Sequence, residues 1–436
     1  MAHQNHLKLL EEGPDAFHAW RRNHLDLRPD LSHADLTGHN LQGVNLAETN
    51  LSWAILTKAD MSRANLSQAT LRKADLIGAN LHKATLRKAD LTYATLQGAN
   101  LSTAQGRAVV LRMANLQGAN LFRADLTTAD LRHANLREAD LRHTSLDRAD
   151  LRHARMGKAN MGRASLIDAD LTDAHLMEAD LSEATLVRAK LIDVNLHAAV
   201  LRGANLEDAN LRGANLTNAT LQRARLYATT LVETNLHQAD LTGSEVYGVS
   251  VWNTNLEETN QSDLLLTRFV DPAQFLLEPA IRIDRLETAQ LLYHLFQNEH
   301  TSTILSSLMS RIILIVGHFS PERETMYTTI LQDLWRHQYV PILIEMQNLQ
   351  EDNDAEIFNA LIGLSQGILI DLSDVGHLGF MFPRRSIPIQ PVLADGKTEH
   401  DIYPNMYHRM RPLYRYQDIA SLRHFLEKDF LLSLEI

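Results

Sequence analysis

The sequence predicts a β-solenoid followed by an α/β domain, and three observations lead to that expectation. From Leu31 to Leu256 every fifth residue can be read without insertion or deletion, which gives 46 positions, and 40 of them are Leu. Two residues before these positions the side chain is usually small, and it is Ala in 34 of the 46 cases. From about Asp284 this period ends, and apolar runs alternate with amphipathic segments. A strict short period indicates a repeat architecture, and the alternation indicates a layered α/β domain.

The composition bounds the class of protein before any motif is considered. A chain of 436 residues is long enough for two or three domains, and its 45% hydrophobic content excludes a disordered protein. There is no Cys, so disulfides and thiolate metal sites are excluded. The N-terminal segment has no apolar signal core, and no stretch reaches the roughly 18 to 20 apolar residues of a membrane span. We therefore expect a soluble, cytoplasmic protein with no membrane partner.

A period of five fits neither the 3.6 residues of a helical turn nor the alternation of a strand. It fits a square coil in which each pentapeptide A(D/N)LXX forms one side, with Leu and Ala pointing inward and the other three residues pointing outward. Four sides make a coil of 20 residues, and coils that stack at about 4.8 Å would form a rod roughly 55 Å long. Gly106 removes one inward side chain. We expect Val109 and Val110 to fill part of that gap, and the coil to be weak or bent there.

This repeat resembles the pentapeptide-repeat family, which implies a right-handed quadrilateral β-helix over residues 29–260. The segment "HLKLLEEGPDAFHAWRRNH" resembles the opening that precedes many such arrays, and it predicts an N-terminal helical cap over residues 1–28. The apolar face of that cap would be Leu7, Leu10, Phe17 and Trp20. Residues 261–309 are expected to form a C-terminal cap and a linker helix.

The repeated Arg-His pairs of "ADLRHANLREADLRHTSLDRADLRHARM" are outward residues that the period brings round again. Since residues 20 apart lie one above the other, Arg132 should stack with Arg152, and His133 should stack with His153. The histidine column continues through Asp173 and Asp193. It is either a metal-binding ladder or a solvated charge ladder, and we expect the second and no metal site. Residues 31–260 carry 24 Lys and Arg against 25 Asp and Glu, so nucleic-acid binding is not expected.

The segment 310–436 reads as an open parallel flavodoxin-like sheet. Strands are predicted at 311–316, 340–346, 367–374 and 387–393, and helices at 284–309, 321–339, 354–365 and 416–434. Ligands of such sheets bind beyond the carboxyl ends of the strands. The nucleotide-binding candidates there are Gly317, His318, Ser320, Arg323, Asp371, Ser373 and Asp374. The alternative is that these residues only cap helices, because no glycine-rich phosphate motif accompanies them.

The stretches "IILIVGHFSPER" and "ILIDLSD" make this segment similar to the TIR-like (Toll/interleukin-1 receptor-like) domains of bacteria. In enzymatic members of that group a glutamate near the sheet edge serves NAD cleavage, whereas non-catalytic members self-associate or pair with a like domain. No carboxylate follows "DLSD" in "VGHLGFMFPRRS". Glu345 and Glu356 are the remaining candidates, and Glu356 is displaced from the expected place. We therefore expect no resident cofactor, with NAD or a nucleotide as the alternative ligand.

These observations favour a protein-interaction scaffold, in which a rigid rod carries a TIR-like signalling or assembly domain in bacterial stress or phage defence. The partners would be other proteins, including like TIR-like domains and further copies of the chain. One alternative is an NAD-hydrolysing effector. A lesser alternative is a DNA mimic that binds type II topoisomerases, as some pentapeptide-repeat proteins do. That role depends on a strongly acidic rod, and this rod is nearly neutral.

Overall fold

A computed structural model describes most of the chain. The described residues are 3–24, 27–266, 281–297, 311–317, 323–345, 361–362, 365–371, 373, 388–394, 411–431 and 434. The chain divides into two compact units, of which the first comprises residues 1–244 and 249–261 and the second comprises residues 245–248 and 262–436. Among the described residues no helix combines the length and the apolarity that a membrane span requires.

The first unit is a β-solenoid with 20 residues in each coil, as predicted. Residues that precede the inward Leu form parallel β-bridges with residues 20 positions later, as in Asp30↔Asn50 and Asp240↔Asn260. Short backbone hydrogen bonds join the coils, such as that from Leu31 N to Asn50 O at 2.8 Å. The inward Leu and Ala side chains are almost completely buried and form one continuous core.

Each corner of a coil is a tight turn with one residue in the left-handed region. The amide of the inward small residue closes the turn, as when Ala34 N donates to Leu31 O at 3.1 Å. The residue before it has a positive φ in every repeat from His33 to Asp263. One positive φ, at the third residue of the turn, is the signature of a type II turn. Most of these residues are not Gly, so the array holds many side chains in a conformation that L-residues rarely adopt.

The Asp and Asn residues that precede the inward Leu stabilise both the turns and the stacking of coils. Asp60 Oδ1 accepts the amide of Ser62 at 3.0 Å, which is an Asx turn. The same oxygen accepts Asn80 Nδ2 from the next coil at 2.9 Å. Asn80 Oδ1 in turn accepts Asn100 Nδ2 at 3.1 Å. Side-chain ladders of this kind explain why Asp and Asn dominate the position.

The coil that contains Gly106 keeps its register, so the weak or bent coil expected there is not observed. Gly106 N donates to Asp125 O at 2.7 Å, as its counterparts do in other coils. A Cβ atom built on Gly106 would lie 2.9 Å from Leu126 Cδ2 and 3.2 Å from Val109 Cγ1. These two side chains therefore occupy the missing volume, whereas Val110 lies at a half-buried bridge position.

The N-terminal cap is helical and consists of two helices, α1 (Gln4–Glu11) and α2 (Pro14–Asn23). Gly13, with φ 111°, separates them. Of the predicted apolar face Leu10 and Phe17 are buried, and the other two side chains are half-buried. The cap also satisfies polar groups of the first coil, which has no coil beneath it. His6 Nδ1 accepts Asp30 N at 3.1 Å, and His18 Nε2 accepts Asn45 N at 2.9 Å.

The second unit contains a seven-stranded sheet. Its elements are β1 (Leu264–Leu266), β2 (Ile281–Ile283), α3 (Leu286–Gln297), β3 (Ile312–Gly317), α4 (Glu324–Arg336), β4 (Val340–Glu345), β5 (Ser365–Asp371), β6 (Ile389–Ala394), β7 (Tyr414–Tyr416), α5 (Ile419–Phe425) and a π-helical turn (Leu426–Phe430). The strand order is β1-β2-β4-β3-β5-β6-β7, and β3 to β7 are parallel. The parallel strands thus follow the flavodoxin-like order 2-1-3-4-5.

The four predicted strands are present as β3 to β6, each within three residues of the expected bounds. Sequence reasoning missed β1, β2 and β7, each of three residues. In particular, part of the region expected only to cap the rod enters the sheet, where β2 pairs with β4. The helix predicted at 354–365 lies mostly outside the described residues. Its last predicted residue, Ser365, begins β5.

The core of this sheet lies where α4 and α5 cover one of its faces. Tyr327 and Leu334 of α4 and Leu422 of α5 pack with Ile313 and Leu369 of the central strands, and all five side chains are buried. Apolar residues at helical spacing thus cover the continuous apolar runs of parallel strands. This packing fixes the N-terminal end of α4 against the carboxyl ends of β3 and β5.

Candidate functional site

The arginines of the Arg-His stretch are held by carboxylates of the rod itself. Arg132 donates from Nε to Asp130 Oδ1 at 2.8 Å and from Nη2 to Asp130 Oδ2 at 2.6 Å. The same two bonds, with the same lengths, join Arg142 to Asp140 and Arg152 to Asp150. Burial opposes ionisation of Asp130, but hydrogen bonds from arginine outweigh it and lower its pKa to about 2. These guanidinium groups are structural partners and are not free cations.

The histidines of the stretch stack as the period predicts. The rings of His133 and His153 are parallel, with centroids 4.7 Å apart. His153 Nδ1 lies 3.7 Å from Asp173 Oδ2. Within the described part of the chain, no group of three or more His, Asp or Glu side chains converges as a metal site requires. The stacked rings and the carboxylate thus lie along one column, and the absence of a metal site there stays a prediction.

The same column carries a different chemistry nearer the N-terminal end of the rod. We call His33, Trp53, Lys73, Tyr93 and Met113 the aromatic column. His33 stacks on Trp53 with centroids 5.9 Å apart, and Lys73 Nζ lies 4.3 Å from the centre of the Trp53 ring. Trp53, Tyr93 and Met113 nevertheless remain 51%, 48% and 41% exposed. This column was not predicted from the sequence, although the 20-residue period places its five residues one above the other.

Two further apolar side chains lie beside the aromatic column. Ile55 follows Trp53 by two residues, and Ile77 follows Asp75, which forms a β-bridge with Ile55. Both isoleucines are large exposed hydrophobic residues. With Trp53, Tyr93 and Met113 they place five exposed apolar side chains on one side of successive coils and at its two corners. Contiguous exposed apolar surface is typical of protein interaction sites.

The structure brings together four of the nucleotide-binding candidates of the second unit. Gly317 ends β3, Arg323 precedes α4, Asp371 ends β5, and Ser373 follows it. Arg323 Nη1 lies 2.5 Å from Asp371 Oδ2, and Ser373 N donates to Asp371 Oδ1 at 3.0 Å. The other candidates, His318, Ser320 and Asp374, lie outside the described residues, as does Glu356. Of Glu345 the described part is its backbone, which pairs with Gly317.

Tyr327 is the member of this cluster that sequence reasoning missed. Its hydroxyl donates to Asp371 Oδ2 at 2.8 Å. Burial, together with the neighbouring carboxylate, raises the pKa of Tyr327 well above its usual range. A Cβ atom on Gly317 would lie 2.5 Å from the Tyr327 hydroxyl, so only glycine leaves room for this bond. Ser373 Oγ accepts Ala394 N at 2.9 Å. These polar groups thus satisfy one another at the strand ends, and nucleotide binding there stays a prediction.

Comparison with known proteins supports the assignment of the repeat as pentapeptide repeats. The family model described as "Pentapeptide repeats" matches overlapping segments that together cover residues 30–257. No curated protein matches the chain. HetL, a pentapeptide repeat protein involved in heterocyst differentiation regulation in the cyanobacterium Nostoc sp. strain PCC 7120, is 32% identical, with 55% of this chain and 94% of HetL covered and a TM-score of 0.31.

Two more solved structures are similar over the repeats. QnrB1, a plasmid-mediated fluoroquinolone resistance protein, is 18% identical, with 42% of this chain and 89% of QnrB1 covered and a TM-score of 0.26. A pentapeptide repeat protein from the Arabidopsis thaliana thylakoid lumen is 26% identical, with coverages of 31% and 71% and a TM-score of 0.14. The family match ends at residue 257, so it does not extend to the predicted TIR-like domain. Because that match spans more than half of the sequence, the chain belongs to the pentapeptide-repeat family.

Proposed function

We propose that the chain is a protein-interaction scaffold whose rod docks a partner protein on the aromatic column and the adjoining isoleucines. Pentapeptide-repeat proteins are structural and interaction scaffolds. The observation that carries the proposal is the exposure of Trp53, Tyr93 and Met113 in one column of a rod whose other large apolar side chains are mostly buried. Aromatic residues and Met are the residue types enriched at protein interfaces.

The rod suits this role energetically because its backbone is already ordered. Every coil is hydrogen-bonded to its neighbours, so docking costs little backbone entropy. His33 and Lys73 flank Trp53 and restrict the motion of its ring. A half-exposed Trp that is held in place can be fully desolvated by a partner, which is how interface hot spots contribute most of their free energy.

For the second unit we propose a TIR-like assembly module, which acts by self-association or by pairing with a like domain in bacterial stress or phage defence. The sheet order and the two sequence stretches that carry the resemblance support this assignment. The mutual satisfaction of Asp371, Arg323 and Tyr327 favours assembly over catalysis, because it leaves the carboxylate both bonded and buried.

The docking proposal is tested with three forms of the full-length chain immobilised at equal density. These are the wild type, a Trp53→Ala/Tyr93→Ala double variant, and Trp252→Ala, which removes a Trp outside the column that is 63% exposed. Proteins retained from an extract of the source cells are quantified by mass spectrometry, and affinity is then measured with the purified partner. We expect the double variant to bind at least 10-fold more weakly, since each hot-spot truncation costs about 2 kcal/mol. The Trp252→Ala variant should bind as the wild type does.

A partner whose affinity is equal for all three proteins would contradict docking on the aromatic column.

The assembly module is tested separately, by sedimentation of the wild type over a range of concentrations. Nicotinamide release from NAD by the full chain, abolished in Glu345→Gln, would replace the assembly role with the hydrolase alternative.

A further inference from the structure

A second surface of the rod is basic and lies on another side of the coils. We call Arg63, Lys83, Arg87, Lys88, Arg107 and Arg123 the basic face. All six side chains are exposed. The bridges Asn65↔Thr85, Thr85↔Gln105 and Gln105↔Asp125 fix the register of the side on which they lie. The basic face does not overlap the aromatic column.

The arrangement of the six cations follows from that register. Arg63, Lys83 and Arg123 differ by multiples of 20 residues and so share one corner column. Arg87 and Arg107 share the corner column at the other end of the same side. At about 4.8 Å per coil the face is roughly 14 Å long along the rod axis. Its two corner columns are four residues apart, so the face is at most about 13 Å wide.

Carboxylates do not interrupt this face, and the one at its end is Asp125, in the coil that carries Arg123. Between Glu48 and Asp125 no Asp or Glu occupies an outward position on this side or at its two corners. None of the six cations forms an ion pair with any described residue, whereas Arg132, Arg142 and Arg152 are all paired. The side-chain contacts of the face are neutral: Arg87 Nη2 donates to Gln105 Oε1 at 3.3 Å, and Arg123 lies 5.1 Å from the centre of the Phe122 ring.

We infer that the basic face binds the sugar-phosphate backbone of a nucleic acid, without regard to base sequence. Arg and Lys interleaved with short hydroxyl and amide side chains, here Asn65, Thr85 and Gln105, are the groups that contact phosphates. An acidic protein is the other polyanion to consider, but protein interfaces are built around desolvated apolar anchors. The large exposed apolar side chains of the described rod all lie off this face.

The magnitude follows from the size of the face. A duplex presents one phosphate per 3.4 Å along each strand, so a 14 Å face meets about four phosphates of one strand. Release of about four counterions gives a slope of log K against log salt near −3.6, which is roughly a 100-fold loss of affinity between 50 and 200 mM salt. The net charge of −11 does not prevent this binding, because charges beyond a Debye length of about 10 Å are screened at 0.1 M salt.

The test is fluorescence anisotropy of a labelled 30-base-pair duplex, and of its single strand, with the full-length chain in 50 to 200 mM salt. The face variant is Arg87→Gln/Lys88→Gln/Arg107→Gln. The matched control is Arg137→Gln/Arg155→Gln/Arg202→Gln, which changes the net charge equally at exposed arginines that lie off the face and form no ion pair with a described residue. Circular dichroism verifies that each variant keeps its β content.

We expect the face variant to bind the duplex at least 10-fold more weakly at 50 mM salt, and the control to bind within about twofold of the wild type. Equal losses in the two variants would show that binding follows net charge, and would overturn the assignment, as would the absence of binding by the wild type at 50 mM salt. Tighter binding of poly-glutamate than of either oligonucleotide would assign the face to an acidic protein instead. The Trp53→Ala/Tyr93→Ala variant should keep its oligonucleotide affinity, so this proposal and the docking proposal fail independently.

Discussion

Replacing Gly with Ala at two positions of the rod should change stability in opposite directions. Gly98 is the third residue of its turn and has φ +61°, and a Cβ atom there would meet nothing within 4 Å. Gly157 is the second residue of its turn, its φ lies outside the left-handed region, and its Cβ would lie 3.6 Å from Met177 O, which is an ordinary contact. The two sites thus differ in backbone conformation and not in packing.

The magnitudes follow from that difference. Ala reduces the entropy of the unfolded chain at both sites, which stabilises the fold by about 0.4 to 1 kcal/mol where the native φ is compatible. At Gly98 the left-handed conformation costs Ala about 1 to 2 kcal/mol. Gly157→Ala should therefore stabilise its coil by up to about 1 kcal/mol, and Gly98→Ala should destabilise its coil by a similar amount.

Native-state hydrogen exchange measures this effect coil by coil, which matters because a long repeat array does not unfold in one step. The reporters are the amide of residue 98, which donates to Gln117 O, and that of Lys158, which donates to Met177 O. A change of about 1 kcal/mol corresponds to roughly fivefold in the exchange rate. We expect the amide of residue 98 to exchange faster in Gly98→Ala, and the amide of Lys158 to exchange more slowly in Gly157→Ala. Shifts of the same sign and size at both sites would refute the role assigned to φ.

Two further predictions concern the cap and the glycine gap. Burial, and to a lesser extent the nearby His3, lowers the pKa of His6. The unfolded chain therefore binds this proton more readily than the folded cap does. The contribution of neutral His6 to cap stability should be fully present above about pH 6.5 and should be lost as the pH falls below that value. The variant His6→Gln should weaken that dependence in hydrogen exchange of the first coil. Val109→Ala should cost about 2 kcal/mol by opening a cavity beside Gly106, and Gly106→Leu alone should also destabilise by overpacking. The double variant should cost clearly less than the sum of the two, as hydrogen exchange of the amides of residues 106 and 109 in all four proteins will show.

Almost all of the architecture of the rod could be predicted from the sequence, because its core depends on side chains at fixed spacing. Leu and Ala at fixed positions show directly which residues point inward, and a period of five is compatible with few kinds of closed coil. The filling of the Gly106 gap was less accessible, since it depends on the Leu126 rotamer one coil away. In the second unit the long apolar strands were predictable, whereas strands of three residues carry too few side chains for any period to be recognised.

The candidate site of the second unit was predictable in position but not in chemistry. The carboxyl ends of parallel strands meet at one edge of a sheet, so Gly317 and Asp371 had to lie near each other. That Asp371 would be bonded to Arg323 and Tyr327 could not be foreseen, because Tyr327 lies within a helix and its direction depends on the packing of α4. Sequence order identifies which residues reach an edge, and only packing decides whether they face a ligand or one another.

The two arginine populations of the rod show how one neighbouring residue decides between these roles. In "DLR" the Asp before the inward Leu and the Arg after it lie on the same side of the coil, and the carboxylate holds the guanidinium, as in Asp130 and Arg132. Where the first residue is Thr85 or Gln105 the arginine two positions later has no carboxylate partner in its own repeat. The 24 basic and 25 acidic residues of 31–260 nearly cancel, and that sum does not distinguish paired from unpaired cations. An average over the rod therefore conceals the basic face, and the 20-residue columns reveal it.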